Sequence, residues 1–247
     1  MTGWLETADV AAALPPFEAL QGDSGLSVYS KKNRLSEETA KSVHDLLVQH
    51  NWLTFAADVY KISKNLKDYF LVPTIIMPSD LPNRNGAAFP LSELTRFDPE
   101  LGNLVYTGWK GKPVHVEHQN SDPTKAIGAV MDVALRPMSK ANGNLYKVIT
   151  LLAIDKTKRP DISNEILAGR RTNYSMGAMV VGHVCSICGA KSVLTDKHRT
   201  RYEALRCGTE HASFSRNHEF RVFDGPKGTK RIGYLNVHGV KPIEVSS

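Results

Sequence analysis

From Lys67 onwards the sequence consists of short apolar and β-branched runs broken by Pro, Gly, Asn and Asp. This pattern is typical of β-strands separated by turns. It predicts helices at 90–97 and at 162–168, the second ended by Gly169. The predicted strands lie near 69–77, 104–108, 112–118, 126–136, 145–155, 172–182, 219–223 and 230–237. These elements predict an α+β fold in which a partly closed β-barrel is flanked by helices.

The chain before Lys67 has a different character. Residues 1 to about 35 show no clear period, whereas apolar residues recur at helical spacing over 36–62, after the suitable N-cap Ser36. We therefore divide the chain into an N-terminal arm with an amphipathic helical extension, residues 1–66, and a main domain, residues 67–247. The arm is either a packing element or an appendage for targeting or for removal on activation, and the sequence favours neither.

Composition narrows the class of protein. A chain of 247 residues with 41% hydrophobic residues can bury a substantial core. It contains no apolar run near the roughly 20 residues that cross a bilayer and no secretory signal, so we expect an intracellular protein without a membrane partner. The net charge of +6 favours anionic partners. That charge fits a solvated basic face or, as the less favoured alternative, a nucleic-acid groove.

Two residue types that form a nucleophile–base pair occur on predicted strands. Ser175 precedes Met176 and Gly177, and glycine at this spacing lets backbone or substrate approach the hydroxyl. A serine hydroxyl needs a base to become a nucleophile. His115 and His118 both lie on the strand predicted at 112–118, and residues three apart on a strand face opposite sides, so only one can serve.

The order and spacing of several motifs carry a family resemblance. Over residues 68–181 the chain resembles the prohead (capsid maturation) proteases of tailed bacteriophages, which share their fold and catalytic logic with the herpesvirus assembly proteases. The motifs are Asn83-Arg84-Asn85 before Phe89-Pro90, His118 before the strand that contains Ile127-Gly128 and Asp132, and Ser175-Met176-Gly177.

The resemblance implies roles for individual residues. Ser175 would be the nucleophile and His118, rather than His115, the general base. Glu244 lies where the family tends to carry an acidic residue, and Asp132 and Glu117 remain alternatives for the third catalytic position. Proteases of this family commonly cut after glutamate, and the charges of Arg170 and Arg171 would suit such a substrate. Both arginines could equally balance the C-terminal end of the preceding helix.

The cysteines form a separate motif. An odd count of three in an intracellular chain argues against a disulfide framework. Cys185-x2-Cys188 is followed after eighteen residues by Cys207-x3-His211, which is a suitable ligand set for tetrahedral zinc. Four protein ligands leave no open position, so the zinc would be structural and would hold a small zinc-knuckle-like insertion over 183–218. The alternative fourth ligands are His183, His198 and His218.

Together these features predict a serine endopeptidase that needs no cofactor for catalysis. By the resemblance, it would cleave phage scaffold (core) and capsid proteins inside the prohead, in the host cytoplasm, and would also cleave itself. Self-association and nucleic-acid binding are candidate further interactions. The alternative function is that of a non-enzymatic, zinc-containing head protein that binds scaffold or nucleic acid.

Overall fold

In a computed structural model of the chain, the structure describes two N-terminal strands and residues 52–83, 85–138, 145–193 and 222–247. The strands, in chain order, are β1 (Glu18–Gln21), β2 (Ser27–Ser30), β3 (Tyr69–Pro78), β4 (Ala87–Ala88), β5 (Phe97–Asp98), β6 (Asn103–Leu104), β7 (Pro113–His115), β8 (Gly128–Pro137), β9 (Tyr146–Asp155), β10 (Ser175–Met179), β11 (Gly182–Cys185), β12 (Lys191–Val193), β13 (Val222–Asp224), β14 (Lys230–Ile232), β15 (Leu235–His238) and β16 (Lys241–Ser246).

The described α-helices are short. They are α1 (Trp52–Tyr60), α2 (Leu91–Leu94) and α3 (Pro160–Leu167). Pro160 opens α3, where a missing backbone N–H costs no intrahelical bond, and Gly169 with φ +68° follows its end. None of the helices in these described parts is long and apolar enough to cross a membrane.

One curled sheet dominates the fold. Eight strands follow the spatial order β1-β2-β3-β9-β8-β7-β16-β10, and neighbouring strands are antiparallel except in the pairs β2–β3 and β7–β16. The register shifts in β3 between Ile75 and Met77 and in β8 between Val130 and Asp132. Bulges of this kind bend a strand and increase its twist. The sheet consequently forms a half-barrel, which confirms the predicted α+β class.

Both faces of the long central strands are buried. In β3, Phe70 and Val72 belong to the main core, which also contains Ile162 and Ile166 of α3. The alternate residue Leu71 faces the other side, where it packs with Ala56 and Ala57 of α1 and with further apolar side chains of β8 and β9. This alternation is the two-residue period of a strand, and it explains why the segment is almost continuously apolar.

A second, smaller sheet contains four strands. Its strands follow the order β12-β11-β15-β4, and β11 and β12 form a hairpin around the Cys185–Cys188 turn. Two further two-stranded pairs, β5–β6 and β13–β14, complete the described strands.

Several predicted boundaries are wrong. The strand predicted at 112–118 ends at His115, because Glu117 and His118 have φ of 51° and 56°, which no strand accommodates. The strand predicted at 172–182 is divided into β10 and β11. The region of residues 1–35, predicted irregular, contains β1 and β2. Of the helix predicted at 36–62, only the part from 52 onwards is described, and it is helical to Tyr60.

Candidate active site

Ser175 begins the strand at one edge of the main sheet. This strand, β10, pairs antiparallel with β16, so that Ser175 lies opposite Ser246 and Gly177 lies opposite Glu244. A Cβ atom on Gly177 would lie 2.7 Å from Cγ of Glu244, so the Glu244 side chain fills the space towards which residue 177 points. Since residues two apart in a strand point to the same face, the Ser175 side chain is directed to that face as well.

Glu244 is in contact with His118. Its Oε1 lies 2.7 Å from Nδ1 of His118, and the Glu244 side chain is fully buried while that of His118 is 49% exposed. A carboxylate can only accept a hydrogen bond, so Nδ1 carries the proton and donates it. In the neutral form of the ring, Nε2 of His118 then retains its lone pair. This is the tautomer in which a histidine can take a proton from serine.

The backbone of His118 is attached to β16, the strand that pairs with the Ser175 strand β10. Its N–H donates to Oγ of Ser246 at 2.7 Å. Directly opposite residues in an antiparallel pair have Cβ atoms about 4.5–5.5 Å apart, and this is the separation expected between Cβ of Ser175 and Cβ of Ser246. Ser175 and the Glu244 that contacts His118 therefore lie on the same face of the β10–β16 pair, two register positions apart.

The turn that presents His118 has an unusual backbone. Glu117 and His118 are consecutive non-glycine residues in the left-handed region, a conformation that costs roughly 1–2 kcal/mol per residue. Backbone hydrogen bonds with Ser247, the residue that follows β16, offset part of this cost. The N–H of Glu117 donates to the carbonyl of Ser247 at 3.1 Å, and the N–H of Ser247 donates to the carbonyl of His115 at 3.1 Å. Strained backbone of this kind concentrates at functional sites.

His115 occupies a different environment from His118. It lies on β7 in register with Ser246 of β16, is 1% exposed, and has no hydrogen-bond partner for either ring nitrogen among the described residues. Burial lowers the pKa of its imidazole, although the nearby carboxylates of Glu244 and Asp122 oppose this effect. His115 is thus a buried core residue, while His118 presents its ring at the surface.

The two alternative acids point elsewhere. The carboxylate of Asp132 on β8 lies 3.4 Å from Nζ of Lys110. Glu117 is exposed in the turn, where its backbone rather than its side chain contacts Ser247. Of the three carboxylates considered from the sequence, Glu244 is the one in contact with His118.

The two arginines differ from each other. Nε of Arg171 contacts Oε2 of Glu165 in α3 at 3.1 Å, and the backbone N–H groups of both Arg170 and Arg171 donate to the carbonyl of Glu165. Arg171 therefore closes the C-terminal end of the helix. Arg170 is exposed, and its guanidinium forms no ion pair with any residue in the described ranges.

The Asn83–Asn85 motif forms a turn before β4. Oδ1 of Asn83 accepts the N–H groups of Asn85 at 2.9 Å and Ala87 at 3.2 Å, and Gly86 follows with φ 67°. An asparagine that folds back on its own backbone in this way defines a turn. Arg84 lies outside the described residues.

The cysteine motif is described in part. Cys185 ends β11 and is buried, whereas Cys188 is exposed on the turn that leads to β12. The turn is closed by a hydrogen bond from the N–H of Gly189, which has φ 71°, to the carbonyl of Cys185 at 3.0 Å. This places two candidate thiolates on one tight hairpin. Cys207 and His211 lie outside the described residues, and no group of three metal-ligating side chains occurs within the described ones.

Two polar residues of the site were not identified from the sequence. Nδ2 of Asn120 donates to Oε1 of Glu244 at 2.8 Å, and Ser246 accepts the N–H of His118. The spacing of two between Glu244 and Ser246 places both on one strand face and is a usable signal. Asn120 has no such signal, because its position depends on the left-handed turn.

Comparisons with known proteins identify no relatives. No protein-family model matches the chain, no curated protein is significantly similar in sequence, and no solved structure is significantly similar in fold.

Proposed function

We propose that this protein is a serine endopeptidase in which Ser175 is the nucleophile, His118 the general base and Glu244 the acid that orients His118. One observation carries the proposal. The buried carboxylate of Glu244 contacts Nδ1 of His118 at 2.7 Å, and this contact lies beside the strand position that Ser175 occupies. Nucleophile, base and orienting acid are the three parts of a serine hydrolase.

The proposed reaction is acyl transfer through an acyl-enzyme. Oγ of Ser175 bonds to the scissile carbonyl carbon while Nε2 of His118 takes the hydroxyl proton. The protonated imidazole gives that proton to the leaving amine as the C–N bond breaks. Water then attacks the ester on Ser175: Nε2 of His118 takes a proton from the water and gives it to Oγ of Ser175 as the ester C–O bond breaks, which releases the carboxylic acid product. Throughout, the carboxylate of Glu244 faces the ring that becomes positively charged, which favours the charged form.

The substrate class rests on the resemblance of residues 68–181 to prohead proteases. We propose that scaffold (core) and capsid proteins are cleaved inside the assembling prohead in the host cytoplasm, with autocleavage. Self-association and nucleic-acid binding would accompany this activity without being required for it. Arg170 supports cleavage after glutamate, since its exposed guanidinium remains available for a substrate carboxylate.

A structural zinc is proposed for the insertion over 183–218. The tight turn of the β11–β12 hairpin supports it, because this turn holds Cys185 and Cys188 at the two-residue separation that tetrahedral zinc sites use. Cys207 and His211 would supply the remaining ligands. Zinc held in this way would stabilise the insertion and take no part in peptide cleavage.

Co-expression with the phage scaffold protein tests the endopeptidase. Wild type should shorten the scaffold, with new C-termini at glutamate by mass spectrometry, and Ser175→Ala should leave it intact. Ser92→Ala, a change at an exposed serine of α2, serves as the matched control and should cleave normally. Normal processing by Ser175→Ala would contradict the proposal and favour the non-enzymatic alternative.

A further inference from the structure

One carboxylate oxygen of Glu244, Oε1, accepts two hydrogen bonds. Oε1 lies 2.7 Å from Nδ1 of His118 and 2.8 Å from Nδ2 of Asn120. The second oxygen, Oε2, is buried and has no hydrogen-bond partner among the described residues. Asn120 is thus the one described side chain, besides His118, that donates to this buried acid.

The hydrogen bond from Asn120 restrains the last side-chain torsion of Glu244, which the hydrogen bond with His118 alone would not fix. The last side-chain torsion of glutamate is broad, so a single hydrogen bond does not fix the direction of its oxygens. Two donors that converge on Oε1 from different residues do fix it. A buried carboxylate also needs such donors, because each one offsets part of its desolvation.

The chain path gives Asn120 a second effect on the same site. It follows His118 by two residues, and its own N–H donates to the His118 carbonyl at 2.8 Å. The side chain of Asn120 therefore ties the end of the strained turn to β16, while the His118 N–H ties its centre to Ser246. Both attachments keep the imidazole in line with the carboxylate.

We propose that Asn120 is a positioning residue for the protease centre: its amide holds Oε1 of Glu244 in line with Nδ1 of His118, which keeps Nε2 free as the base for Ser175. This inference rests on the proposed endopeptidase function. It adds a specific requirement at position 120, namely a hydrogen-bond donor and not merely a side chain of the same shape.

Asn120→Asp separates these two requirements. Aspartate has the shape of asparagine, but when ionised it cannot donate and it brings a second negative charge to Glu244. Gln119→Glu is the matched control, because it adds the same charge one residue away at an exposed position. The probe is a fluorophosphonate, which reports formation of the bond to Ser175 without needing the natural substrate.

We expect Asn120→Asp to label about 10- to 100-fold more slowly than wild type at neutral pH, by analogy with the loss caused by removing a partner that orients a metal-binding side chain. The deficit should shrink as the pH falls, because the introduced carboxyl becomes a donor once it is protonated. A residue that only supports the fold would show no such recovery. Gln119→Glu should label at the wild-type rate throughout.

A second measurement covers the case in which Asn120→Asp folds poorly. In the proton NMR spectrum of wild type, the His118 Nδ1–H should give a downfield resonance that Glu244→Gln removes and Asn120→Ala shifts upfield. An unshifted resonance in a folded Asn120→Ala protein overturns the inference. So does a labelling rate for Asn120→Asp that equals wild type at every pH.

Failure of the parent proposal gives a different result. If wild type and Ser175→Ala both resist the fluorophosphonate, the endopeptidase function is wrong and the role of Asn120 is rejected with it. If wild type reacts, Ser175→Ala does not, and Asn120→Asp is indistinguishable from wild type, only the role of Asn120 is wrong.

Discussion

Gly177 and Glu244 lie opposite each other across β10 and β16, and the carboxylic side chain fills the space where a Cβ of residue 177 would be. The added atom would lie 2.7 Å from Cγ and 3.1 Å from Oε1 of Glu244. The need for glycine in the Ser-x-Gly motif is therefore explained by the neighbouring Glu244 side chain, and not by close approach of a substrate. Glycine makes room for the acid that contacts His118.

Gly177→Ala should displace Glu244 and slow the labelling of Ser175 without unfolding the protein. Overpacking costs about 1–3 kcal/mol of stability, and a misplacement of about 1 Å costs roughly 100-fold in rate. The labelling rate of Ser175 by a fluorophosphonate and the free energy of unfolding measure the two effects. Ala178→Gly, a one-methyl change at the next residue, should lower stability and leave labelling near wild type. Wild-type labelling by Gly177→Ala would mean that Glu244 is not needed where it lies.

Glu244→Gln should reduce the labelling rate by about 10⁴-fold, because the amide can donate to Nδ1 of His118 and so favour the wrong tautomer. Asp132→Asn is the matched comparison, since Asp132 faces Lys110 and should be replaced with little loss. Activity profiles of the two purified variants decide between the acids that the sequence left open. The reverse ranking would move the orienting role to Asp132.

The sequence predicts the positions of the long strands along the chain better than it predicts the geometry of the site. The apolar runs of β3, β8 and β9 are long and bounded by turn residues, so strand identity could be read from them. Ser175 could be named because it stands in a recognisable strand, whereas Glu244 could be named only through the resemblance to prohead proteases. Their opposition across β10 and β16 depends on a long-range pairing that no local pattern encodes.

The His118 turn could not be predicted for a physical reason. Glu117 and His118 adopt left-handed backbone against their intrinsic preference, and the hydrogen bonds that support it come from Ser246 and Ser247, more than 120 residues away. A prediction from local propensity extends β7 to His118 instead. The same error hides Asn120, because on a continued strand it would not meet Glu244.

Ser246→Ala should weaken the His118 turn. Ser246 is buried, and its Oγ is the acceptor of the His118 N–H, so its removal leaves a donor unsatisfied at a cost of about 1–3 kcal/mol. We expect lower stability in urea unfolding together with slower labelling of Ser175. Ser247→Ala is the control, because the Ser247 hydroxyl makes only a 3.5 Å contact while its backbone makes the hydrogen bonds. Equal effects of both changes would contradict this role for the Ser246 hydroxyl.

Cys185→Ser should remove the proposed zinc and destabilise the insertion. Elemental analysis of the purified full chain should give about one zinc per wild-type chain and none for the variant, with a lower melting temperature for the variant. Ser186→Ala provides a control within the same turn. It loses the hydroxyl contacts to Ile232 and Tyr234 and keeps both cysteines, so it should retain the metal. Wild-type protein without zinc and with unchanged stability in chelator would refute the site.

His115 should make the protein less stable in mild acid. Burial lowers its pKa below the ordinary 6.5, so below pH 6.5 the unfolded chain binds a proton that the folded chain resists. This contribution to stability is fully present above pH 6.5 and is lost as the pH falls towards the lowered folded-state value, by at most about 1.4 kcal/mol per pH unit. His115→Leu should therefore gain stability relative to wild type as the pH is lowered from 7.5 to 4.5 in urea unfolding. A difference between His115→Leu and wild type that stays constant over this range would show that the imidazole of His115 titrates alike in the folded and unfolded chains.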